Sequence, residues 1–100
     1  MLACVLHQSG VLNSASRGAE LAHAVLEQVA LNGTVEIDAS EVIRVTPSFA
    51  NAFVMTVLDR MPDALACGKV RLVASDFVRA AFVASEDRFA RGIRLSSQRH

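Results

Sequence analysis

The 100-residue chain has no tryptophan and no tyrosine; its five aromatic residues are all phenylalanine. It therefore lacks the rigid amphipathic rings that anchor many binding hot spots and that stack well on nucleic-acid bases. A strong interface has to be made from Phe, Met, Leu or Arg. An excess of charge of one sign is also missing: ten Lys and Arg balance ten Asp and Glu. Nothing then supplies the basic field that holds a phosphate backbone, so nucleic acid is not an expected partner.

There are only two cysteines, Cys4 and Cys67. They form no CxxC pair and sit in apolar runs, so both read as small buried hydrophobes, structural thiols of a reducing cytosol. The five glycines are scattered, with neither a GxGxxG fingerprint nor a Walker loop to cradle nucleotide phosphates. His7, His23 and His100 have no Cys, Asp or Glu at metal-ligand spacing. No metal and no cofactor is expected. No motif joins a Ser or Cys nucleophile to an oriented His, so the chain is expected not to be an enzyme. Catalysis would return if His7 or His23 lay within hydrogen-bond reach of Ser48 or a cysteine. No apolar run approaches the roughly 18 residues that span a bilayer, and Met1–Leu6 lacks a basic leader region, so a cytoplasmic protein without a membrane span is expected.

What is present is apolar material, 52% of the chain, in a length that suits one compact domain, here residues 1–100. Residues 2–7 read as a first strand ended by Gln8, Ser9 and Gly10. From Ser14 or Ser16 to Leu31 the composition is rich in Ala, Leu and Glu. Leu21, Ala24, Val25 and Val29 make a helical stripe, and Arg17, Glu20, His23 and Glu27 face water. Ser16 is a candidate cap, and Asn32–Gly33 a stop. Residues 34–38 and 42–45 read as two extended pieces separated by a break at 39–41.

Thr46 and Pro47 open the next helix, since Thr caps well and Pro at the first helical position loses no useful N–H. This helix should run to about Arg60 and bury Phe49, Ala52, Phe53, Val57 and Met61, with Ala50, Val54 and Leu58 broadening the stripe. It is apolar enough to be central. Residues 69–74 return as a strand with Val70, Leu72 and Ala74 on one face, and Ser75 caps a last helix. There Phe77, Ala80, Ala81 and Ala84 make the expected stripe, with Phe89 continuing it before residues 92–100 form a polar tail. The fold class is α/β, in the order β-α-β-β-α-β-α, with a mixed sheet carrying its helices mainly on one face.

The stretch VEIDASEVIRVTPSFANAF at residues 35–53 resembles the signature of STAS domains of the anti-sigma-factor-antagonist type. There a strand ending in Asp and Ser leads through a Val to a serine-bearing helix start. The SFANAF wording at 48–53 and SRG at 16–18 are closer still to the STAS-like family of unassigned function. The resemblance covers nearly the whole chain, although its motifs are short. It implies a STAS-like fold and a regulatory, partner-binding role in bacterial signalling or transcription. A histidine-kinase-like ATPase or an anti-sigma-type regulator would be the partner. In the antagonists the helix start reads Asp-Ser-Ser-Gly; register with Asp38 and Ser40 puts Thr46, Pro47, Ser48 and Phe49 at those places. Ser48 thus matches the serine that such kinases phosphorylate, and the other three places differ.

Ser48 would stand at the second position of a helix, where free N–H groups and the positive dipole end tolerate phosphate. The plainer reading is a helix-start residue that Asp or Glu could replace. Asp38 and Ser40 would line one polar rim with the Thr46 turn, or only bond within their loop. Asn51, three residues after Ser48, would share its face toward a partner or toward water. Arg17 opposes the dipole of its helix, which calls for an acid on the sheet rim or on a partner. The competing readings are a small-ligand or anion sensor and a structural subunit of a larger assembly. A homodimer covering an apolar helix face or a sheet edge is also open.

Overall fold

A computed structural model describes residues 4–65 and 67–98 of the chain. The elements run β1 (Cys4–Leu12), α1 (Ala15–Asn32), β2 (Val35–Val45), α2 (Pro47–Arg60), β3 (Val70–Val73) and α3 (Asp76–Gln98). The sheet has the order β1-β2-β3 and both neighbouring pairs are parallel. A parallel pair cannot be joined by a tight turn, and α1 and α2 supply the two crossovers. The α/β class is as expected. The sheet, however, is wholly parallel where a mixed one was expected, and the order is β-α-β-α-β-α.

One strand fewer is needed because the expected break at residues 39–41 does not occur. β2 runs unbroken, with Ala39 buried, and the Asp38 carboxylate takes the backbone N–H and the hydroxyl of Ser40 at 3.1 and 2.7 Å. The irregularity is absorbed by the β1–β2 ladder, whose register shifts between His7 and Ser9 and again between Gly10 and Val11. Gly10, at φ 72°, takes a conformation that side chains resist. β1 therefore continues past the Gln8–Gly10 stop to Leu12. The expected strand start at Leu2 and Ala3 lies outside the described residues.

Alternation assigns the faces. Val35, Ile37 and Ala39 are buried, whereas Glu36 and Asp38 are half-buried and Ser40 is exposed. The helices lie against the first set, as expected, and the face carrying Val5, His7 and Ser9 of β1 is open to solvent. α2 lies between α1 and α3 and carries the centre of the core. Phe49, Phe53, Val54 and Val57 are at most 2% exposed and meet Val25 of α1 and Val78 of α3. Phe82 of α3 presents its ring edge-on to Phe49 and Phe53, with centroids 6.4 and 5.5 Å away. Full burial of each such side chain contributes roughly 1.5–3 kcal/mol. Ala52 and Met61, expected in this stripe, are half-buried at its margin.

The capping chemistry follows the sequence closely for α2. Thr46 Oγ1 accepts from Phe49 N at 3.3 Å and Pro47 opens the helix. α1 is capped by Ser14, which accepts from Arg17 N, and not by Ser16. Ser75 caps α3 through Val78 N.

α3 departs most from expectation. It buries Val78, Phe82 and Ser85, while Phe77, Ala80 and Ala84 of the expected stripe are exposed and Ala81 is half-buried. This face turns the larger Val78 and Phe82 onto α2, where Phe82 packs on Phe49 and Phe53, and the Ser85 hydroxyl carried with them finds a partner in Asn51. Its backbone also stays helical to Gln98, through most of the expected tail; residues 99 and 100 lie outside the described residues. Cys67 is exposed in the turn after α2, its thiol reaching Ala64 O at 3.8 Å, so it is not the buried hydrophobe expected. The side chain of Cys4, and His100, lie outside the described residues.

Candidate functional site

Parallel α/β sheets gather helix starts at the carboxyl ends of their strands. Here the starts of α1 and α2 come together while that of α3 stands apart. β1 and β2 run on to Leu12 and Val45, which are partners in the ladder, but β3 ends at Val73 beside Asp38. Thr46 N donates to Leu12 O at 2.9 Å and ties the two turns. One turn into each helix the backbones meet: an added Cβ on Gly18 would overlap the carbonyl oxygen of Phe49.

Ser48 lies on this platform, exposed, at the second residue of α2. Among the described residues nothing hydrogen-bonds its hydroxyl. Pro47 beside it is exposed too, and the apolar Ile43 and Val11, 73% and 43% exposed, belong to the strand ends that lead to this platform. Arg17 is exposed one turn into α1 and lines a hollow of about 240 Å³ with Gln8, Leu12, Glu20, Leu21 and Phe49. Among the described residues no carboxylate reaches it at ion-pair distance; Glu20 is the acid of the same hollow. Arg17, Thr46, Pro47 and Ser48 thus form one end of the molecule.

Asp38 and Ser40 are not part of it. β2 is continuous, and Asp38 pairs with His7, five residues before Leu12, the partner of Val45, so it lies roughly 16 Å down the ladder from the platform at about 3.3 Å per residue. The pair faces the open side of the sheet, where His7 Nδ1 lies 3.2 Å from Asp38 Oδ2. With Gln8, Ser9 and Glu41 these residues line a second hollow, of about 260 Å³, beside the ladder irregularity. The hydrogen bonds from the Ser40 hydroxyl and amide, with His7 adding to them, hold the Asp38 carboxyl below the ordinary aspartate range. Both Ser40 and His7 use the same carboxylate, and the serine proton points to Asp38 and not to the imidazole. Acyl-transfer chemistry needs the hydroxyl on the imidazole. His23 lies elsewhere, lining a shallow hollow with Met55, Thr56, Asp59, Arg60 and Phe89.

The Asn51 side chain is engaged with α3 and not with Ser48. Its Oδ1 accepts from Ser85 Oγ at 2.7 Å and from Arg88 Nη2 at 2.8 Å, clamping α2 to α3. Ser85 is only 2% exposed, and this bond satisfies it. Sequence reasoning missed Ser85, Arg88 and the His7–Asp38 pair. The last was within reach, since period-two alternation puts His7 and Asp38 on corresponding faces of two strands. Among the described residues no three His, Cys, Asp or Glu side chains gather to hold a metal ion, and no helix is long and apolar enough to cross a membrane. No family model, no curated protein and no solved structure matches the chain.

Proposed function

We propose that this chain is a non-enzymatic regulatory domain of STAS-like type, which docks on a protein partner through the platform made by Arg17, Thr46, Pro47 and Ser48. The observation that carries the reading is the setting of Ser48. Its hydroxyl is exposed and, among the described residues, unbonded, at a helix start held by the Thr46 cap and by the backbone contact of Gly18 with Phe49. A phosphate at this place would add about −1.5 to −2 charges at the positive end of α2, with no need to unfold anything. It would repel an acidic partner surface or draw an arginine to it. The exposed Ile43 and Val11 supply apolar area beside it. The sequence resemblance suggests a histidine-kinase-like ATPase or an anti-sigma-type regulator in bacterial cytoplasm. Asp38 and Ser40, on the open sheet face, would belong to a separate surface, and Asn51 supports the platform from behind.

The alternative is a small-ligand or anion sensor, or a structural subunit. The Arg17 hollow offers an anion one cation, but Glu20 lines it too, and at about 240 Å³ it is smaller than the roughly 300–1,000 Å³ of ordinary ligand sites. Wild type, Ser48→Ala and Ser48→Asp chains used as baits in native cytosol separate the readings, with mass spectrometry of the captured proteins and of position 48. The expected result is an ATPase-type protein held by wild type and Ser48→Ala, released by Ser48→Asp, and phosphate on Ser48. Equal capture by all three with Ser48 unmodified would sink the switch. Loss of nothing on replacing Ile43 and Pro47 as well would sink the platform.

A further inference from the structure

β3 is an outer strand of the sheet, and its outward backbone groups are unequally covered. Lys69 O accepts from Val35 N at 2.9 Å, so Lys69 faces β2. In a parallel ladder a residue turns both backbone groups to one side and its neighbours turn theirs to the other. Arg71 and Val73 therefore face β2 as well, and Val70 and Leu72 face outward. Of their four groups two are taken: Val70 N donates to Ala64 O at 3.2 Å, and Leu72 O accepts from Arg79 Nη2 at 3.1 Å. Among the described residues nothing bonds Val70 O or Leu72 N.

This pattern selects a direction. An antiparallel neighbour exchanges both of its bonds with a single residue, Val70 or Leu72, and each of these has one group occupied. A parallel neighbour takes the carbonyl of one outward residue and the N–H of the next, which are the two groups left open. We infer that this edge receives one residue of an extended segment from a protein partner, running parallel to β3. Its N–H donates to Val70 O and its carbonyl accepts from Leu72 N. The β3 of a second copy does not fit, because edge strands joined about a two-fold axis run antiparallel.

The side chains of the segment follow from the same register. The bound residue lies opposite Arg71 and shares its face, the open one. Arg71 is exposed, with Glu36 beside it in the ladder, yet among the described residues it forms no ion pair. An acidic side chain on the bound residue would give it one. The residues before and after turn to the helix side, over a hollow of about 470 Å³ whose apolar wall is Leu65, Val70, Leu72, Phe82 and Val83. Its charged groups are Arg71 and Arg79 against Glu86 alone, which again favours an acid. The occupant is thus an extended segment with an acidic residue between two apolar ones. β3 ends beside Asp38, away from the Ser48 platform, so this inference does not rest on that reading.

The test is titration of the isotopically labelled full chain with a capped peptide in which glutamate stands between two valines, followed by amide NMR. Saturable shifts should centre on Val70–Val73, with the Leu72 N–H among the largest. Methylating the glutamate nitrogen removes the donor to Val70 O and should weaken binding about tenfold or more. Methylating the next nitrogen, which points away from β3, should cost far less; neither change touches the fold of the protein. Arg71→Glu, at an exposed position, should weaken the peptide about fivefold and favour a counterpart with lysine at the centre. A spin label on the peptide's amino end should broaden signals near Lys69 more than those near Ala74. No shifts at millimolar peptide, or shifts centred on another surface, overturn the inference. Equal losses from the two methylations overturn the backbone pairing on which it stands, and the opposite spin-label pattern overturns the parallel direction.

Discussion

Gly18 of α1 and Phe49 of α2 meet backbone to backbone: a Cβ at Gly18 would overlap Phe49's carbonyl oxygen and stand 3.1 Å from its carbonyl carbon. In an unobstructed helix interior, alanine is better than glycine by roughly 1 kcal/mol. Here the sign should reverse. Gly18→Ala is expected to lower stability by about 1–3 kcal/mol, as overpacking does, read from the urea midpoint. A Gly18→Ala chain more stable than wild type would mean that the two helix starts do not touch in this way.

Asn51 holds Ser85 and Arg88 with one oxygen. Asn51→Ala leaves the Ser85 hydroxyl buried without its α2 partner and should cost about 1–3 kcal/mol. Ser85→Ala should cost less, since it removes the group that needs the bond and leaves Arg88 on Asn51. In a double-mutant cycle the two changes should couple; additive losses would place Ser85 and Asn51 out of contact.

The Asp38 carboxyl should titrate below the ordinary aspartate value, followed by NMR of its side-chain carbon. Ser40→Ala should bring the midpoint up, because the Ser40 hydroxyl is the largest cause of the lowering. A group whose pKa is depressed by folding adds stability above its unfolded pKa and loses it as pH falls through the folded value. The contribution from Asp38 should therefore be intact at neutral pH and vanish only in strong acid, and His7→Ala should move the midpoint less than Ser40→Ala.

Ser48 stands in the first turn of α2, where the dipole favours negative charge. Ser48→Asp should raise stability by about 0.3–1 kcal/mol at low ionic strength and Ser48→Lys should lower it similarly, with both effects shrinking in salt. Thermal melts of the isolated chain measure this without any partner. Strong destabilisation by Ser48→Asp would show that the site cannot accept an anion.

The start of α2 could be read directly because Thr46 and Pro47 encode it by local chemistry alone. The same holds for the helical stripe of Leu21, Val25 and Val29, where apolar period and burial agree. β2 could not be read as one strand. Its continuity depends on Asp38 folding back onto Ser40 and on Gly10 yielding in the neighbouring strand, a long-range compensation that periodicity does not record. The face of α3 was ambiguous for a different reason. Phe77, Ala80 and Ala84 repeat at core spacing as well as Val78, Phe82 and Phe89 do, and the buried face carries Phe82 against Phe49 and Phe53 and Ser85 against Asn51, partners on α2 that the period of α3 alone does not record. At the candidate site, Thr46, Pro47 and Ser48 were legible as one turn, whereas Arg17 was read on its own at the start of another helix and its place beside them was not. The separation of Asp38 and Ser40 from them followed from the unbroken strand and was not.

The shortness of β3 also sets the order in which the protein comes apart. Its four residues meet β2 only along Val35–Asp38, whereas β1 follows β2 for its whole length. Few ladder bonds have to be given up to detach β3, and α3, which follows it in the chain, is held to the rest by Val78, Phe82 and the Asn51 clamp. Detaching this C-terminal unit leaves β1, α1, β2 and α2 with their mutual contacts intact. Amide protons of β3 should accordingly exchange through a partial opening well below the global unfolding energy, while those between β1 and β2 wait for complete unfolding.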